Sequence, residues 1–387
     1  MPSPLDWIPD DLSHLREESL YREPRNVTAL GDGRCEIDGR VLIDFGSNDY
    51  LNLATSDALK DAATVAIQKH GLGARASSLV SGRHPEYQTL CRRLTDFEHA
   101  DDALLFPTGY MANVGTITAL VGSEDSVFCD RLNHASLVDG CRLSKAKFRV
   151  YPHRDLTVLN RELEKASGVR RKLIVTDGVF SMDGDLAPLP ELWEIAHSHN
   201  AMLLVDEAHA TGVFGKNGRG SVEHFDLEDQ PIIRVGTLSK AIGCLGGFVT
   251  GSQDLTDYLR NKAGTQVYST GLPAVICAAA SAAVQEISEN PAQRKRLQSL
   301  SDLLRTVLSA QNIDYAPGSC GPIVPVILDD AEVAVSVSCK LQEAGFFVPA
   351  IRPPTVPAGT SRLRITVSTA HAEDDLRSLV SQLRGML

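Results

Sequence analysis

The sequence holds no C-x-x-C pair. Its eight cysteines (Cys35, Cys91, Cys129, Cys141, Cys244, Cys277, Cys320 and Cys339) are scattered over 387 residues. Neither a zinc ribbon nor a dithiol redox centre is expected, and no metal site. Several sit in apolar runs, VFCD and AVICAAA among them, where a reduced buried thiol is the simple reading. A cytosolic protein is expected on that ground. No run of about 18 apolar residues occurs, so no membrane span is expected. The N-terminal stretch MPSPLDWIPDDLSHLREESLYREPR lacks the basic start and apolar core of a secretory signal. Basic clusters are also missing, and the net charge is −11. Nucleic-acid binding relies on clustered Lys and Arg, so that partner class is set aside. No repeat and no low-complexity tract is present.

What is there is ordinary globular material, 43% apolar and 22% charged, enough to build a core. Residues 1–54 read as an irregular arm with one short helix and a strand pair. Apolar runs then alternate with helical patterns. Candidate strands are Ala103–Phe106, Ser126–Cys129, Phe148–Tyr151, Lys172–Thr176, Met202–Val205, Ile232–Gly236 and Gly247–Thr250. Between two of them, Leu189–Asn200 carries apolar residues at helical spacing, with Asn200 as a stop. Unbroken apolar strands are those buried on both faces, as in a parallel sheet covered by helices. The reading is an α/β layered large domain over 55–289. A smaller α+β domain follows over 290–387. It is expected to hold a helix Arg294–Ala310, the run IVPVIL, a helix Ala331–Ala344, the runs FFVPAI and RLRITV, and a helix from about Glu373.

In open α/β sheets, ligands bind beyond the carboxyl ends of the strands. Those positions carry unusual residues. After ALLF comes Pro107-Thr108-Gly109-Tyr110 and a helix from about Met111, a ready phosphate site. Asp130 through His134 follow SVFC. Asp177 through Asp185, with Ser181, follow KLIVT. Asp206-Glu207-Ala208-His209 follow MLLV. Thr237-Leu238-Ser239-Lys240 follow IIRVG. Each alone has a plain structural explanation: caps, surface lysines, packed histidines. Together they place a phosphate nest, an acid, two imidazoles, a hydroxyl and an amine at one sheet edge. Pyridoxal phosphate asks for that set: a lysine for its Schiff base, an acid beside the pyridinium nitrogen, a helix N-terminus for its phosphate. Lys240 and Asp206 suit the first two roles. His134 suits stacking on the ring, and Ser181 and His209 suit its hydroxyl. MLLVDEAH also resembles the Mg²⁺-binding strand of a helicase-type ATPase. That reading needs G-x-x-x-x-G-K-[ST], and no such string occurs.

The strings FGSNDYL (Phe45–Leu51), GVFSMDGD (Gly178–Asp185), VDEAHATGVFGKNGRG (Val205–Gly220), TLSKAIG (Thr237–Gly243) and YSTGLP (Tyr268–Pro273) resemble the α-oxoamine synthases, fold-type I pyridoxal-phosphate transferases. The resemblance runs from about Arg22 to the C-terminus. It implies a large domain with a mostly parallel seven-stranded sheet and a small C-terminal α+β domain. It also implies roles. Lys240 carries the cofactor and moves the Cα proton, His134 stacks and touches substrate, and Asp206 pairs with the ring nitrogen. Ser181 and His209 lie near the ring hydroxyl, while Gly109, Tyr110 and Thr237 hold the phosphate or its surroundings. Arg22, Asn48 and Thr355 match substrate-side positions, and Arg364 matches the clamp on the amino-acid carboxylate. Members are homodimers, and Ser269-Thr270 resembles the segment that reaches the neighbour's phosphate. The string AIRPPTVPAGTSRLRIT (Ala350–Thr366) is most similar to the branch that condenses L-alanine with a pimeloyl thioester, on CoA or a carrier protein, in biotin synthesis. The rival branch joins glycine to a short acyl-CoA, as 2-amino-3-ketobutyrate ligases do. A silent, lysine-less binding subunit is a third reading, which Lys240 opposes. Asp177 stands where a glutamate is common, which would shorten a substrate-side contact.

Overall fold

A computed structural model describes residues 3–387. All seven candidate strands form and join one sheet, in the order Asp102–Phe106, Gly247–Gly251, Ile233–Thr237, Met202–Asp206, Lys172–Asp177, Ser126–Asp130, Lys147–Tyr151. Gly247–Gly251 runs antiparallel to both neighbours. The other adjacent pairs are parallel.

Successive side chains of a strand face opposite ways, and on the inner strands both faces are dry. Val127, Cys129, Leu173, Val175, Leu204 and Val235 pack in one cluster with Ala112, Ile117, Leu137 and Leu259. Those partners come from the helices Gly109–Leu120, Ala135–Leu143 and Gln253–Lys262. The intervening Phe128, Ile174, Leu203 and Val205 pack with Leu159, Leu163, Leu189 and Leu192. These belong to the helices Leu156–Glu164 and Leu189–Ser198. Covering both faces explains why these strands read as continuous apolar runs.

The chain divides into two compact units. One holds residues 48–181 and 185–297; the other holds 3–47, 182–184 and 298–387. The second unit contains a four-stranded sheet, Val27–Gly31, Arg34–Ile37, Arg40–Asp44 and Phe346–Phe347. It also contains a three-stranded sheet, Ile323–Asp329, Ser361–Thr366 and Ala350–Ile351. The helices Ala331–Glu343 and Glu373–Arg384 accompany them.

Local differences from the sequence reading have local causes. The arm carries three strands, not a pair, because Arg40–Asp44 adds to the hairpin and then pairs with Phe346–Phe347. FFVPAI is split between two sheets at Val348-Pro349, where proline has no N–H for a ladder. The helix after ALLF starts at Gly109, because the Thr108 hydroxyl caps it by accepting from Met111 N–H at 3.1 Å. The long helix begins at Pro291, a first-turn position proline favours.

Candidate active site

The site builds from strand ends within residues 48–181 and 185–297. Asp206 closes its strand and is 5% exposed. Its Oδ1 accepts from Ala208 N–H at 2.8 Å, and its Oδ2 accepts from Asn113 Nδ2 at 2.6 Å. Asp177 closes the neighbouring strand, in register with Asp206. Burial and then the Asp206 charge push its carboxyl well above the usual carboxylate range. With one of two adjacent buried acids held neutral, the negative charge that remains at the pair favours a nearby cation.

His209, three residues past Asp206, is buried. Its Nε2 lies 2.7 Å from Lys240 Nζ, and its Nδ1 lies 2.5 Å from Tyr50 Oη. Tyr50 in turn donates to Asn48 Oδ1 at 3.3 Å. A lysine donating to Nε2 makes every bond in this series consistent, because Nδ1–H then donates to Tyr50 and Tyr50 to Asn48. Lys240, His209 and Asn48, which the sequence singled out, thus meet through Tyr50. Tyr50 lies in the FGSNDYL string but carried no assigned role.

His134 precedes the helix Ala135–Leu143 as its N-cap. Its main-chain N–H donates to Asp177 Oδ2 at 2.7 Å. The Asp177 side chain, 3% exposed, turns inward to that N–H. His134 as a residue is exposed, while its ring is partly enclosed. The surrounding protein lowers its pKa, the Lys240 charge acts in the same sense, and Asp206 and Asp139 oppose them.

Gly109 opens the helix Gly109–Leu120 opposite Thr237. A Cβ at Gly109 would sit 3.1 Å from the Thr237 Cβ and Oγ1, and one at Gly247 would sit 2.5 Å from Thr108 O. The backbone therefore approaches closely at the point where the helix presents unpaired N–H groups. Thr237 Oγ1 donates to Gly246 O at 2.9 Å and meets Ser239 Oγ at 2.7 Å. Tyr110 is exposed, and its hydroxyl donates to Asp139. Ser181 is buried just beyond the Lys172–Asp177 strand. Thr270 is exposed and bridges Ser77 through the backbone.

The remaining assigned residues belong to the other unit. Arg22 donates to Pro353 O at 3.2 Å and to Thr355 Oγ1 at 3.4 Å, so two of them meet. They line a cavity of about 400 Å³ together with Arg25, Cys339, Phe347 and Arg352. Arg352, quoted only as part of its string, donates to the carbonyls of Ser19 and Tyr21. Burial, helped by the nearby Arg22 charge, lowers its pKa. Arg364 is 4% exposed and donates to Thr366 Oγ1 at 2.9 Å.

The sequence reading gave no role to Asn113 or Ser136. Asn113 was detectable as a polar residue inside the apolar run MANVGTITALV. Ser136 had no comparable signal.

Fold and site together define a fold-type I pyridoxal-phosphate transferase architecture. Residues 40–383 match the family model described as aminotransferase class I and II, and the chain belongs to that family. Within it, the chain belongs to the 8-amino-7-oxononanoate synthase family. It is 46% identical over 378 residues to the 8-amino-7-oxononanoate synthase of Geobacter sulfurreducens, covering 97% of this chain and 96% of the relative. A serine palmitoyltransferase from S. paucimobilis with bound PLP–myriocin superposes with a TM-score of 0.93 at 30% identity, covering 99% of this chain and 97% of that one. The 8-amino-7-oxononanoate synthase of Francisella tularensis superposes with a TM-score of 0.76 at 30% identity, covering 89% and 97%. Among the described residues, no helix is long and apolar enough to cross a membrane.

Proposed function

We propose that the chain condenses L-alanine with a pimeloyl thioester to give 8-amino-7-oxononanoate, carbon dioxide and the free thiol, using pyridoxal 5'-phosphate. The observation that carries this is the Lys240 amine 2.7 Å from His209, in the same unit as the buried acids Asp206 and Asp177. Membership of the synthase family narrows the reaction to this condensation. The donor set fits the cofactor: an amine for its aldehyde, an acidic floor for a cationic ring nitrogen, and a close-packed helix start at Gly109 for its phosphate.

Pyridoxal phosphate supplies an electron-withdrawing ring that stabilises negative charge at the Cα of an attached amino acid. The protein supplies the rest. Asp206, fixed by Ala208 N–H and Asn113, favours a protonated ring nitrogen. Lys240 would hold the cofactor through Nζ, and the same Nζ would take the alanine Cα proton and later return one. His209 holds that amine in place. Arg364, from its place in the motif, is assigned the alanine carboxylate, which a planar guanidinium binds in two-pronged fashion. His134 donates a hydrogen bond to the oxygen that gains charge as the thioester carbonyl is attacked. Ser181 and His209 are assigned to the ring hydroxyl. Gly109, Tyr110 and Thr237 are assigned to the phosphate and its surroundings. Arg22, Asn48 and Thr355 are assigned to the acyl side.

The functional form is a homodimer, in which Thr270 serves the neighbour's phosphate. Its support is the exposed segment Tyr268–Thr270, with Tyr268 89% exposed, and its likeness to the family's interface segment. Sedimentation of the pure protein at twice the chain mass of 41.8 kDa is the expected result; a monomer with full activity would remove it.

The test of the function is release of free thiol from pimeloyl-CoA that depends on L-alanine. Thiol release with glycine and acetyl-CoA, but not with alanine and pimeloyl-CoA, would place the chain with the glycine-using enzymes instead.

A further inference from the structure

A line of hydrogen bonds beneath the site runs on from Asn113, which fixes Asp206, to Ser136, which has no role in the chemistry above. Asn113, on the helix Gly109–Leu120, is 2% exposed. Its Nδ2 donates to Asp206 Oδ2 at 2.6 Å and to Ser136 Oγ at 2.9 Å. An amide nitrogen carries two hydrogens, and both are used. The opposite amide orientation would aim Oδ1 at the Asp206 carboxylate, acceptor against acceptor. Ser136 Oγ, accepting from Asn113, keeps its own hydrogen for His134 Nδ1, 2.7 Å away. The Ser136 main-chain N–H also donates to Nδ1, at 3.2 Å. Two donors converge on one ring nitrogen, which must therefore offer its lone pair. The ring hydrogen then sits on Nε2.

We propose that Asn113 and Ser136 are positioning residues that hold the His134 ring as its Nε2–H tautomer and lock it in register with the Asp206 carboxylate. Core packing alone does not call for this arrangement. Asn113 Oδ1 is buried without a partner among the described residues, a cost an apolar side chain would avoid. The line gives the imidazole a fixed direction. Nδ1 is occupied from below, so Nε2–H is the one N–H the ring can give to a reacting oxygen. Protonating Nδ1 would set a ring N–H against the Ser136 N–H, which opposes the imidazolium.

Several charges face this ring. Asp206 at its strand end and Asp139 on the following helix favour its protonation, and Lys240 disfavours it. Asp177 accepts the His134 main-chain N–H. The kinetic consequence rests on the function proposed above, whereas the tautomer does not.

The experiment is ¹⁵N NMR of the holoenzyme with labelled histidine, the His134 signals being assigned by their loss in His134→Asn. At pH 7.5 the wild-type ring should show the Nε2–H pattern. Ser136→Ala should raise the His134 titration midpoint by about one pH unit, a tenfold change in proton affinity. The acid limb of kcat should move upward by the same amount, and Ser136→Thr should restore both. An Nδ1–H pattern in the wild type overturns the proposal without any variant. An unmoved midpoint in folded, cofactor-loaded Ser136→Ala also overturns it. Absence of alanine-dependent thiol release from the wild type counts against the proposed function, and the ring spectrum then decides the tautomer alone.

Discussion

The titratable groups of the site and the arginines of the cavity, one set in each unit, are held by different means. In the sheet unit, side chains hold side chains: Lys240 to His209 to Tyr50, Asp206 to Asn113 to Ser136 to His134, and His153 between Asp130 and Asp185. In the other unit, two arginines near the cavity lean chiefly on main-chain carbonyls, Arg22 on Pro353, with the Thr355 hydroxyl beside it, and Arg352 on Ser19 and Tyr21. The difference has a chemical logic. A network of titratable side chains fixes where each proton sits, which acid–base chemistry at a cofactor requires. A guanidinium held by a carbonyl is fixed in place with its positive charge not neutralised, which suits recognition of a carboxylate. Damage to the first unit should therefore appear in kcat and in the cofactor spectrum, and damage to the second in KM.

The largest effect tests the first half of that contrast. Lys240→Ala should abolish turnover, a loss of at least about 10³-fold, and remove the visible absorbance of the lysine-bound cofactor. Wild-type turnover by this variant would end the assignment of Lys240. The expectation that damage in the second unit appears in KM is tested by Arg364→Ala, although Arg364 donates to a hydroxyl, that of Thr366. We expect kcat/KM for L-alanine to fall about 100-fold, mostly through KM, since truncating one partner of a buried charge pair costs about 2–5 kcal/mol. The cofactor spectrum should be unchanged. A selective loss of kcat with unchanged KM would erase the distinction between the units.

The same contrast explains what was legible in the sequence. The central site residues of the sheet unit follow apolar strands, and a fold rule says where strand ends point. Asp206, His209, Lys240 and His134 could be picked out before any coordinates. The strands themselves were legible because burial on both faces leaves an unbroken apolar signature. The residues between the named groups were not. Tyr50 and Ser136 act through contacts of long sequence separation or through an ordinary helix-start serine, and neither leaves a periodic trace. The arginine cavity was legible only by family likeness. Its carbonyl partners at Ser19, Tyr21 and Pro353 lie in irregular segments, where no pattern announces a contact across more than 300 positions. The joining of Phe346–Phe347 to Arg40–Asp44 escaped for the same reason, since a two-residue strand has no period to read.

Two histidines outside the chemistry extend the comparison to stability. His153 donates to Asp130 and Asp185, at 3.0 Å each, and these bonds outweigh its partial burial to push its pKa up to about 9. A folded pKa above the unfolded value means stabilisation that is fully present below about pH 6.5 and lost as pH rises through 9. His153→Gln should cost about 2 kcal/mol at pH 6, the value of charge-assisted bonds to two carboxylates. The cost should shrink toward pH 10. Urea unfolding of both proteins at the two pH values measures it, and an equal cost at both would show that the imidazole is not held charged.

His371, in the other unit, is the opposite case and the smallest effect. Its ring stacks on Phe45 at 4.1 Å between centroids. Nδ1 accepts from Ser368 N–H at 3.0 Å, and Nε2–H donates to the Asp44 carbonyl at 3.0 Å. Main-chain groups hold it once more, and they hold it neutral: burial drives its pKa down to about 4. Here the unfolded chain binds the extra proton between pH 6.5 and 4. The contribution is therefore intact above about 6.5 and is lost as pH falls through 4. By pH 5.5 the loss should reach about 1 kcal/mol. His371→Gln, which offers the main chain an acceptor and a donor without a titrating ring, should flatten that acid slope while leaving the alkaline loss from His153 in place. If the variant kept the wild-type slope between pH 7 and 5.5, the neutral, carbonyl-held imidazole would not be its source, and the contrast between the two units would reduce to their chemistry alone.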